Sequence, residues 1–299
     1  MDALESQIYN EYLRQLPTKC RGEGKKGEFT DFRKVAERYE AVFFDAWGTL
    51  YIRDVLFPGA LETVEGLRRA GVKVRLVTNS ASLSPLSISR KLERLGFDFA
   101  DGEIFSACAH LRGIAADLGI SEVFHVGRDE SLPGIAEAGL RDTPTPARPV
   151  VAITSVPLDE DGSTARIPVA REILSRPGAV ALILNPDAGA PLLGGGRCRA
   201  AGAFGMELVR GTGAKVVRTG KPFPRLFREA LDSVDCAPER ALMVGDTLGT
   251  DVAGGNGAGL DTLLVAQCYG APGEWKADAE RIDVRPDWVA PGIGAGFLP

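Results

Sequence analysis

Five side chains in this sequence could together carry out phosphoryl transfer: Asp45, Thr78, Lys221, Asp246 and Asp251. A carboxylate such as Asp45 can attack a phosphoryl group and form an aspartyl-phosphate intermediate. Carboxylate oxygens are also the hard ligands that Mg²⁺ prefers, which suits Asp246, with Asp251 as a further ligand or a supporting group. A lysine and a hydroxyl group supply the fixed positive charge and the hydrogen-bond donor that a transferring phosphoryl group requires. The residue types therefore indicate Mg²⁺-dependent chemistry at a phosphoryl group.

Three of these residues end or follow short apolar runs that are typical of buried strands. Asp45, Thr78 and Asp246 each occupy such a position, and an amphipathic pattern over residues 61–67 separates the first two runs. Strand, helix and strand in this order predict a right-handed βαβ unit and therefore a parallel sheet. Ligands of such sheets bind beyond the carboxyl ends of the strands. The sequence therefore predicts an α/β fold with a doubly wound parallel sheet and three reactive side chains at one edge.

The length of 299 residues is sufficient for two domains. Residues 117–214 carry their own strand signals and are predicted to form an α/β cap domain, inserted into a core domain of residues 41–116 and 215–299. Residues 1–40 are predicted to be an N-terminal extension of two polar helices around a Gly/Lys-rich loop, with Asp31 as the N-cap of the second helix. We expect this extension to be a packing arm or a homodimer arm.

The composition excludes several classes of partner. Hydrophobic residues make up 44% and charged residues 25% of the chain, and the net charge is −5. This weak acidity argues against nucleic acid or a membrane surface as a partner. Five scattered cysteines without a C-x-x-C pair indicate reduced thiols, and neither a signal peptide nor an 18-residue apolar stretch is present. We therefore expect a cytoplasmic protein whose partner is a small phosphorylated metabolite.

In their order along the chain, the segments FFDAWGTL, VTNS, TGKP and VGDTLGTD resemble the four motifs of the haloacid dehalogenase superfamily. The resemblance covers residues from about 41 to 270 and implies a Rossmann-like core. It also implies that Asp45 is the nucleophile, that Thr78 and Lys221 bind the phosphoryl group, and that Mg²⁺ is held by Asp45, Asp246 and the backbone carbonyl of Trp47.

The spacing of the motifs resembles one branch of that superfamily, subclass IIA. Asp45 and Thr78 are 33 positions apart, which is too short for a cap domain, and the inserted segment follows Thr78. This arrangement, a Pro-Gly-Ala sequence before the first helix and an Asn-Pro-Asp sequence in the cap are similar to the type-II cap branch. That branch contains pyridoxal phosphatase, phosphoglycolate phosphatase and nitrophenylphosphatase-like enzymes. By this resemblance, the residues that contact the substrate are Thr78, Asn79, Asn185, Asp187, Arg197 and Arg199.

The sequence departs from the family pattern at Trp47, because the superfamily's phosphatases carry a second aspartate there as general acid and base. General acid–base catalysis contributes about 10² to 10⁴ in rate. Four interpretations remain: a phosphatase with another acid or an easily released leaving group, a dehalogenase, a phosphonate hydrolase, and a weakened protein that binds or regulates. A dehalogenase would lack the carboxylate of Asp246, and a phosphonate hydrolase needs a cap lysine that residues 117–214 do not contain. A phosphatase fits best.

Two residues are candidates for a replacement acid, His125 near the start of the cap and Asp187 of the Asn-Pro-Asp sequence. Either would have to reach the leaving oxygen when the cap closes over the core. Trp47 itself is expected to fill space, exclude water or stack on an aromatic substrate. The sequence leaves these alternatives open.

Overall fold

The computed structural model describes residues 1–157, 163–271 and 273–294. Within these residues the larger sheet has seven strands, and all neighbouring strands are parallel. In order across the sheet they are β6 (Ile104–Ser106), β5 (Lys73–Thr78), β2 (Ala41–Phe44), β14 (Ala241–Gly245), β15 (Asp261–Val265), β16 (Trp288–Ala290) and β1 (Glu28–Phe29). The predicted parallel sheet is confirmed.

Both faces of this sheet are buried, as the continuous apolar runs predict. In β2, Val42 and Phe44 pack into one hydrophobic cluster, whereas Ala41 and Phe43 pack into the cluster on the opposite face. Helices cover both faces, so the sheet is doubly wound. The helices of this part of the chain are α2 (Phe32–Ala36), α3 (Ala60–Arg69), α4 (Pro85–Arg94), α9 (Pro224–Asp232), α10 (Ala253–Ala258) and α11 (Glu274–Ile282).

A second sheet lies in the inserted segment, and its five strands in the described residues are also parallel. In order they are β13 (Lys215–Arg218), β10 (Val180–Ile183), β9 (Val150–Ile153), β7 (Glu122–Val126) and β8 (Arg141–Asp142). The helices around it are α5 (Leu111–Leu118), α6 (Leu132–Glu137), α7 (Arg166–Leu174) and α8 (Ala201–Val209).

The predicted end of the cap at residue 214 was placed too early, because β13 pairs with β10 in the cap sheet. Helix α5 also contributes Leu111 and Ala115 to a cap cluster, so cap packing begins before residue 117. The chain therefore crosses between core and cap close to residues 107–110 and 219–220. Residues 158–162 of the predicted cap, with 272 and 295–299 of the predicted core, lie outside the described residues.

Two short antiparallel hairpins extend from these units. In the core β3 (Tyr51–Ile52) pairs with β4 (Val55–Leu56), and in the cap β11 (Gly189–Pro191) pairs with β12 (Arg197–Arg199). The second pair is called the cap hairpin below. It follows the Asn-Pro-Asp sequence directly, so it lies next to the cap residues that the sequence singled out.

Residues 1–40 contain α1 (Ala3–Leu13) and α2, and Asp31 caps α2 through a hydrogen bond from the Arg33 amide, as predicted. The sequence did not predict β1 between them, which extends the core sheet beside β16. A strand of two residues is too short for a periodic signal, and it forms because its partner strand is available. None of the helices in the described part of the chain is both long and apolar enough to cross a membrane.

Candidate active site

Three adjacent strands of the core sheet bring the predicted side chains together. Strands β5, β2 and β14 are neighbours, and their carboxyl ends carry Thr78, Asp45 and Asp246 respectively. Because parallel strands end at the same edge, residues far apart in sequence meet there. Thr78 is buried, and its hydroxyl oxygen accepts a hydrogen bond from the Ser80 amide at 3.2 Å.

Asp45, Asp246 and Asp251 form a buried carboxylate cluster. One oxygen from each lies within 4.8 Å of the others. The Thr247 amide donates to Asp251 Oδ2 at 3.0 Å, which orients that carboxylate, whereas the buried Asp246 Oδ2 has no hydrogen-bond partner among the described residues. Three converging carboxylates with an unsatisfied oxygen fit a hard divalent cation such as Mg²⁺.

Burial and mutual repulsion both raise the pKa values of Asp45 and Asp246. Burial raises the pKa of Asp45 to about 7, with a further contribution from Asp251, although Lys221 opposes the shift. Burial raises the pKa of Asp246 well above its usual range, and Asp251 and Asp45 add to the effect. Close buried carboxylates cannot all ionise without positive charge nearby. The cluster is therefore suited to bind a cation.

Lys221 supplies one fixed positive charge to this cluster. Its ammonium group lies 2.5 Å from Asp45 Oδ1 and 2.8 Å from Asp251 Oδ1, and it donates to the Val77 carbonyl at 2.6 Å. Burial alone would lower the pKa of Lys221, but Asp251 and Asp45 raise it above its ordinary value. Lys221 is therefore a permanently charged group that fixes the orientation of Asp45.

Asn79 connects the core to the cap at this point. Its side-chain oxygen accepts from the Lys221 amide at 2.6 Å, and its amide nitrogen donates to the Lys221 carbonyl at 3.0 Å and to Asp187 Oδ1 at 2.8 Å. Asp187 is half-buried, and burial raises its pKa to about 6 against the opposing charge of Lys221. A cap carboxylate is thus held beside the core cluster.

Gly48 allows the loop after Asp45 to approach Asp246 closely. Its φ of +88° favours glycine, and a Cβ there would lie 2.6 Å from the Asp246 carboxyl carbon. Gln267 donates to the Gly48 carbonyl at 2.8 Å and to the Thr49 carbonyl at 2.9 Å. The loop is therefore fixed from two sides, against Asp246 and against the segment after β15.

Trp47 spans the gap between the core and the cap. Its indole nitrogen donates a hydrogen bond of 3.0 Å to the carbonyl of Pro191 in the cap hairpin. The side chain is half-buried and packs against the core cluster that contains Leu50 and Tyr51. An indole cannot transfer a proton as a carboxyl group does, but here it joins the core loop to the cap hairpin.

Comparison with known proteins agrees with this geometry. Residues 42–141 match the family model described as haloacid dehalogenase-like hydrolase, and residues 218–295 match a related model of HAD-hydrolase-like proteins. The rat haloacid dehalogenase-like hydrolase domain-containing protein 2 is 31% identical over 258 residues, which is 83% of this chain and 90% of that protein. The chain belongs to the haloacid dehalogenase-like hydrolase family.

Two further relatives of this haloacid dehalogenase-like hydrolase carry more specific names. Glycerol-3-phosphate phosphatase from chicken is 30% identical over 294 residues, covering 89% of this chain and 93% of that protein. The crystal structure of a 4-nitrophenylphosphatase from Thermotoga maritima is 27% identical, with a TM-score of 0.70, covering 87% of this chain and 97% of the other. The predicted resemblance to the nitrophenylphosphatase-like branch, and with it the core and cap architecture, is confirmed.

The remaining predicted residues of this hydrolase lie around the cluster in different settings. Asn185 accepts a hydrogen bond from the Asp187 amide at 2.8 Å and so shapes the turn before the cap hairpin. Arg197 lies 3.3 Å from the carboxylate of Glu5, and Arg199 pairs with Glu207. These contacts within the protein occupy both arginines in this conformation.

The two candidates for a replacement acid differ in their surroundings. His125 lies on β7 and is buried inside the cap, with Nε2 2.8 Å from the Thr154 hydroxyl. Asp187, in contrast, is hydrogen-bonded to Asn79 beside Lys221. Of the two side chains, it is Asp187 that the structure brings to the core cluster.

Several contributors to the site were missed by sequence reasoning. These are the Val77 carbonyl, the Thr247 amide, Pro191, Gln267 and Tyr9, whose hydroxyl accepts from the Ala188 amide. Most act through backbone groups or through contacts between distant segments, which leave no local pattern. The glycine of the D-A-W-G-T sequence was the one available signal for the close approach to Asp246.

Proposed function

We propose that this chain is a Mg²⁺-dependent phosphohydrolase that acts on a small phosphorylated metabolite through an aspartyl-phosphate on Asp45. The observation that carries the proposal is the position of Lys221, whose ammonium group lies between Asp45 and Asp251 in a buried carboxylate cluster. The names of the relatives from chicken and Thermotoga maritima, both phosphatases, support a phosphate ester as substrate.

Asp45 has the geometry required of a nucleophile. Lys221 bonds its Oδ1, which fixes the carboxylate and leaves Oδ2 for attack on phosphorus. In the first step a bond forms between that oxygen and phosphorus as the bond to the leaving oxygen breaks, and the leaving group takes up a proton. In the second step water attacks the aspartyl-phosphate, inorganic phosphate is released, and the Asp45 carboxylate is restored.

Asp45, Asp246 and Asp251, with the Trp47 backbone carbonyl, would hold the metal ion. Bound Mg²⁺ would supply positive charge to the equatorial oxygens of the phosphoryl group. Lys221 contributes a second positive charge from within the protein, and the Thr78 hydroxyl contributes a hydrogen bond. Asn79 links Lys221 to the cap, because it makes two hydrogen bonds with the Lys221 backbone and donates a third to Asp187.

We assign the missing proton donor to Asp187. Its pKa of about 6 keeps a fraction of the carboxyl protonated near neutral pH, and its hydrogen bond from Asn79 places it beside the Lys221 segment. The confinement of His125 to the cap interior, against Thr154, makes it the less suitable donor. A substrate with an easily released leaving group, such as an acyl phosphate, would need this donor least.

A second candidate function is a weakened relative that binds a ligand without turnover. The hydrogen bond between Trp47 and Pro191 favours it, because the indole occupies the side of the site where the family's phosphatases carry their acid. A dehalogenase is disfavoured by the Asp246 carboxylate in the cluster, and a phosphonate hydrolase by the absence of lysine from residues 117–214 of the sequence.

A phosphate-release screen separates the two functions. Acyl phosphates, sugar phosphates and nucleotides are tested with Mg²⁺ and with a chelator, on the wild type and on Asp45→Asn. The matched control is Asp232→Asn, which makes the same change at an exposed position on α9. Mg²⁺-dependent release that is lost in Asp45→Asn and kept in Asp232→Asn supports the phosphohydrolase. Silence across all substrate classes from folded protein refutes it and supports the binding function.

We also propose a cytoplasmic location. All five cysteines carry free thiols, and Cys20 and Cys108 are buried among other side chains. Unpaired thiols are the usual state in a reducing compartment. Fractionation of the native cells, followed by detection of the chain with an antibody, tests this location.

A further inference from the structure

Helix α1 lies outside the segments that match the family models, which begin at residue 42. The helix is well anchored at its start, because Asp2 and Glu5 form a reciprocal capping box. Its inner face is buried in one hydrophobic cluster with residues of both the cap and the core. That cluster contains Ile8, Tyr9, Tyr12 and Leu13 of α1, Ala188 and Ala203 of the cap, and Leu248, Val252 and Ala253 of the core.

Tyr9 contacts the cap segment that carries Asp187. Its hydroxyl oxygen accepts a hydrogen bond of 3.1 Å from the amide of Ala188, the residue directly after Asp187. The Tyr9 side chain is completely buried, so water does not compete for this bond. The position of the Asp187 backbone is therefore tied to α1.

The ring of Tyr9 contacts the core segment that carries Asp251. Gly249 lies in the helical turn Leu248–Val252, and a Cβ on Gly249 would come within 2.4 Å of the Tyr9 ring. The ring thus lies directly on the backbone of this turn, two residues before Asp251. Tyr9 therefore touches both the cap segment of residues 185–188, called the cap loop below, and the core turn Leu248–Val252, called the metal-binding loop below.

Tyr12 contacts the core segment that carries Lys221. Its ring centroid lies 5.6 Å from that of Phe223, two residues after Lys221, and 6.3 Å from that of Tyr9. Aromatic rings at these separations stabilise each other by more than the burial of their surface area accounts for. The two tyrosines therefore pack against segments on which Asp187, Lys221 and Asp251 are carried.

Glu5 adds a contact with the cap hairpin on the same side. Its carboxylate lies 3.3 Å from Arg197 Nε, and it fills the space in which a Cβ of Gly189 would lie. Gly189 begins the strand that ends at Pro191, the residue that Trp47 bonds. The cap hairpin is therefore held by α1 at one end and by Trp47 at the other.

We infer that α1 is a positioning element of the active site, in which Tyr9 fixes the cap loop of Asp187 relative to the core loop of Asp251. The carboxylates of Asp187 and Asp251 lie on separate segments and repel one another, and close packing of Tyr9 on both segments resists that repulsion. Tyr9 touches no reacting atom, so it acts through Asp187 and Asp251. The role in turnover rests on the proposed function, whereas the effects on loop mobility and metal binding do not.

Tyr9→Phe tests the link to the cap loop. This variant keeps the ring and loses the hydroxyl, so we expect hydrogen–deuterium exchange over residues 185–191 to rise by about tenfold. The matched control is Tyr12→Phe, which removes a hydroxyl from the same helix that faces Arg218 instead. Unchanged exchange in Tyr9→Phe, or an equal rise in Tyr12→Phe, would overturn the inference.

Tyr9→Leu tests the link to the metal-binding loop. Loss of the ring frees the turn around Gly249, so we expect Mg²⁺ affinity in calorimetry to fall about tenfold, whereas Tyr9→Phe keeps it within about twofold. Wild-type Mg²⁺ affinity in folded Tyr9→Leu would show that the ring does not position Asp251 and would also overturn the inference.

Turnover separates this inference from the proposed function. Tyr9→Phe is expected to lower kcat and leave KM unchanged, because it displaces the proposed donor Asp187 and leaves phosphate binding intact. If the wild type releases no phosphate, the proposed function fails, and exchange and calorimetry still decide the role of α1.

Discussion

The indole nitrogen of Trp47 lies 3.0 Å from the carbonyl oxygen of Pro191, and this bond joins the loop after Asp45 to the cap hairpin. Trp47, at the position where the resemblance to the family predicts a second aspartate, is therefore engaged with the protein itself. This contact gives the Trp47 indole a hydrogen-bond partner in the cap. It also means that a substitution at Trp47 changes both the chemistry and the cap.

In the Asp187→Asn background, where the proposed proton donor is absent, Trp47→Asp should raise turnover of alkyl phosphates, whose leaving groups need protonation. General acid catalysis contributes about 10² to 10⁴, so a gain on the order of 10² is expected if the new carboxyl reaches the leaving oxygen. Trp47→Phe is the control, because it also breaks the bond to Pro191 but supplies no acid. Equal rates for the two variants in a phosphate-release assay would show that the gain comes from a looser cap.

Lys221→Met should abolish measurable phosphate release, because the loss of one preorganised charge costs about 10² to 10³ in rate and the orientation of Asp45 is also lost. The variant should also unfold more easily, by on the order of 3 kcal/mol at pH 8, because two buried carboxylates lose their partner.

Urea unfolding in a chelator measures this second effect. Lys34→Met, at an exposed position on α2, is the control and should stay within about 0.5 kcal/mol of wild type. Stability of Lys221→Met equal to that of Lys34→Met would contradict the description of Lys221 as the counter-ion of the cluster.

Gly48→Ala should weaken Mg²⁺ binding at least about tenfold and destabilise the protein by more than about 1 kcal/mol. The new methyl group would lie 2.6 Å from the Asp246 carboxyl carbon at a φ of +88°, so the loop or the carboxylate has to move. Calorimetric titration with Mg²⁺ and thermal unfolding measure the two effects.

Gly66→Ala makes the same change within α3, where no atom of the described residues, apart from the adjoining backbone of the helix itself, lies within 4 Å of the added carbon. It should stabilise the protein by about 0.5 to 1 kcal/mol and leave Mg²⁺ binding unchanged. If both glycine variants bound Mg²⁺ like the wild type, the loop around Gly48 would not shape the metal site.

His110 should make stability depend on pH below about 6.5. The imidazole links the two crossings between core and cap, with Nδ1 bonded to Thr219 and Nε2 2.8 Å from Glu229. Burial lowers its pKa from the ordinary value of 6.5, although Glu229 opposes the shift. The His110 imidazole therefore takes up a proton at a higher pH in the unfolded chain than in the folded chain. The stability that neutral His110 contributes above pH 6.5 is lost as the pH falls towards its folded-state pKa.

Urea unfolding at pH 7.5 and pH 5.5 measures this dependence, and the difference between wild type and His110→Gln isolates it from the carboxylates. The wild type should lose more stability than His110→Gln between the two values. An equal loss in both proteins would show that His110 keeps its ordinary pKa in the folded chain.

Local signals were sufficient for the elements that carry Asp45, Thr78 and Asp246. Each residue stands at the end of a short run of apolar residues, and in a parallel sheet such runs are buried on both faces and end at one edge. Helix α3 was also predictable, because its buried Val64 and Leu67 recur with helical spacing. The edge of the cap sheet was not, because β13 is recognisable as a cap strand only from its pairing with β10.

The sequence by itself determined the type of fold, the family and the residues that converge on the carboxylate cluster, because each depends on short segments whose pattern is complete in itself. Only the tertiary structure decided that Asp187 lies beside Lys221, that Trp47 bonds Pro191, and that Tyr9 contacts the loops of both domains. The hydrogen bonds that create these relationships, Asn79–Asp187, Trp47–Pro191 and Ala188–Tyr9, each join positions more than 100 residues apart. They depend on how the cap packs on the core. The free energy of that packing is the sum of contacts between many side chains, and no single segment of the sequence encodes it.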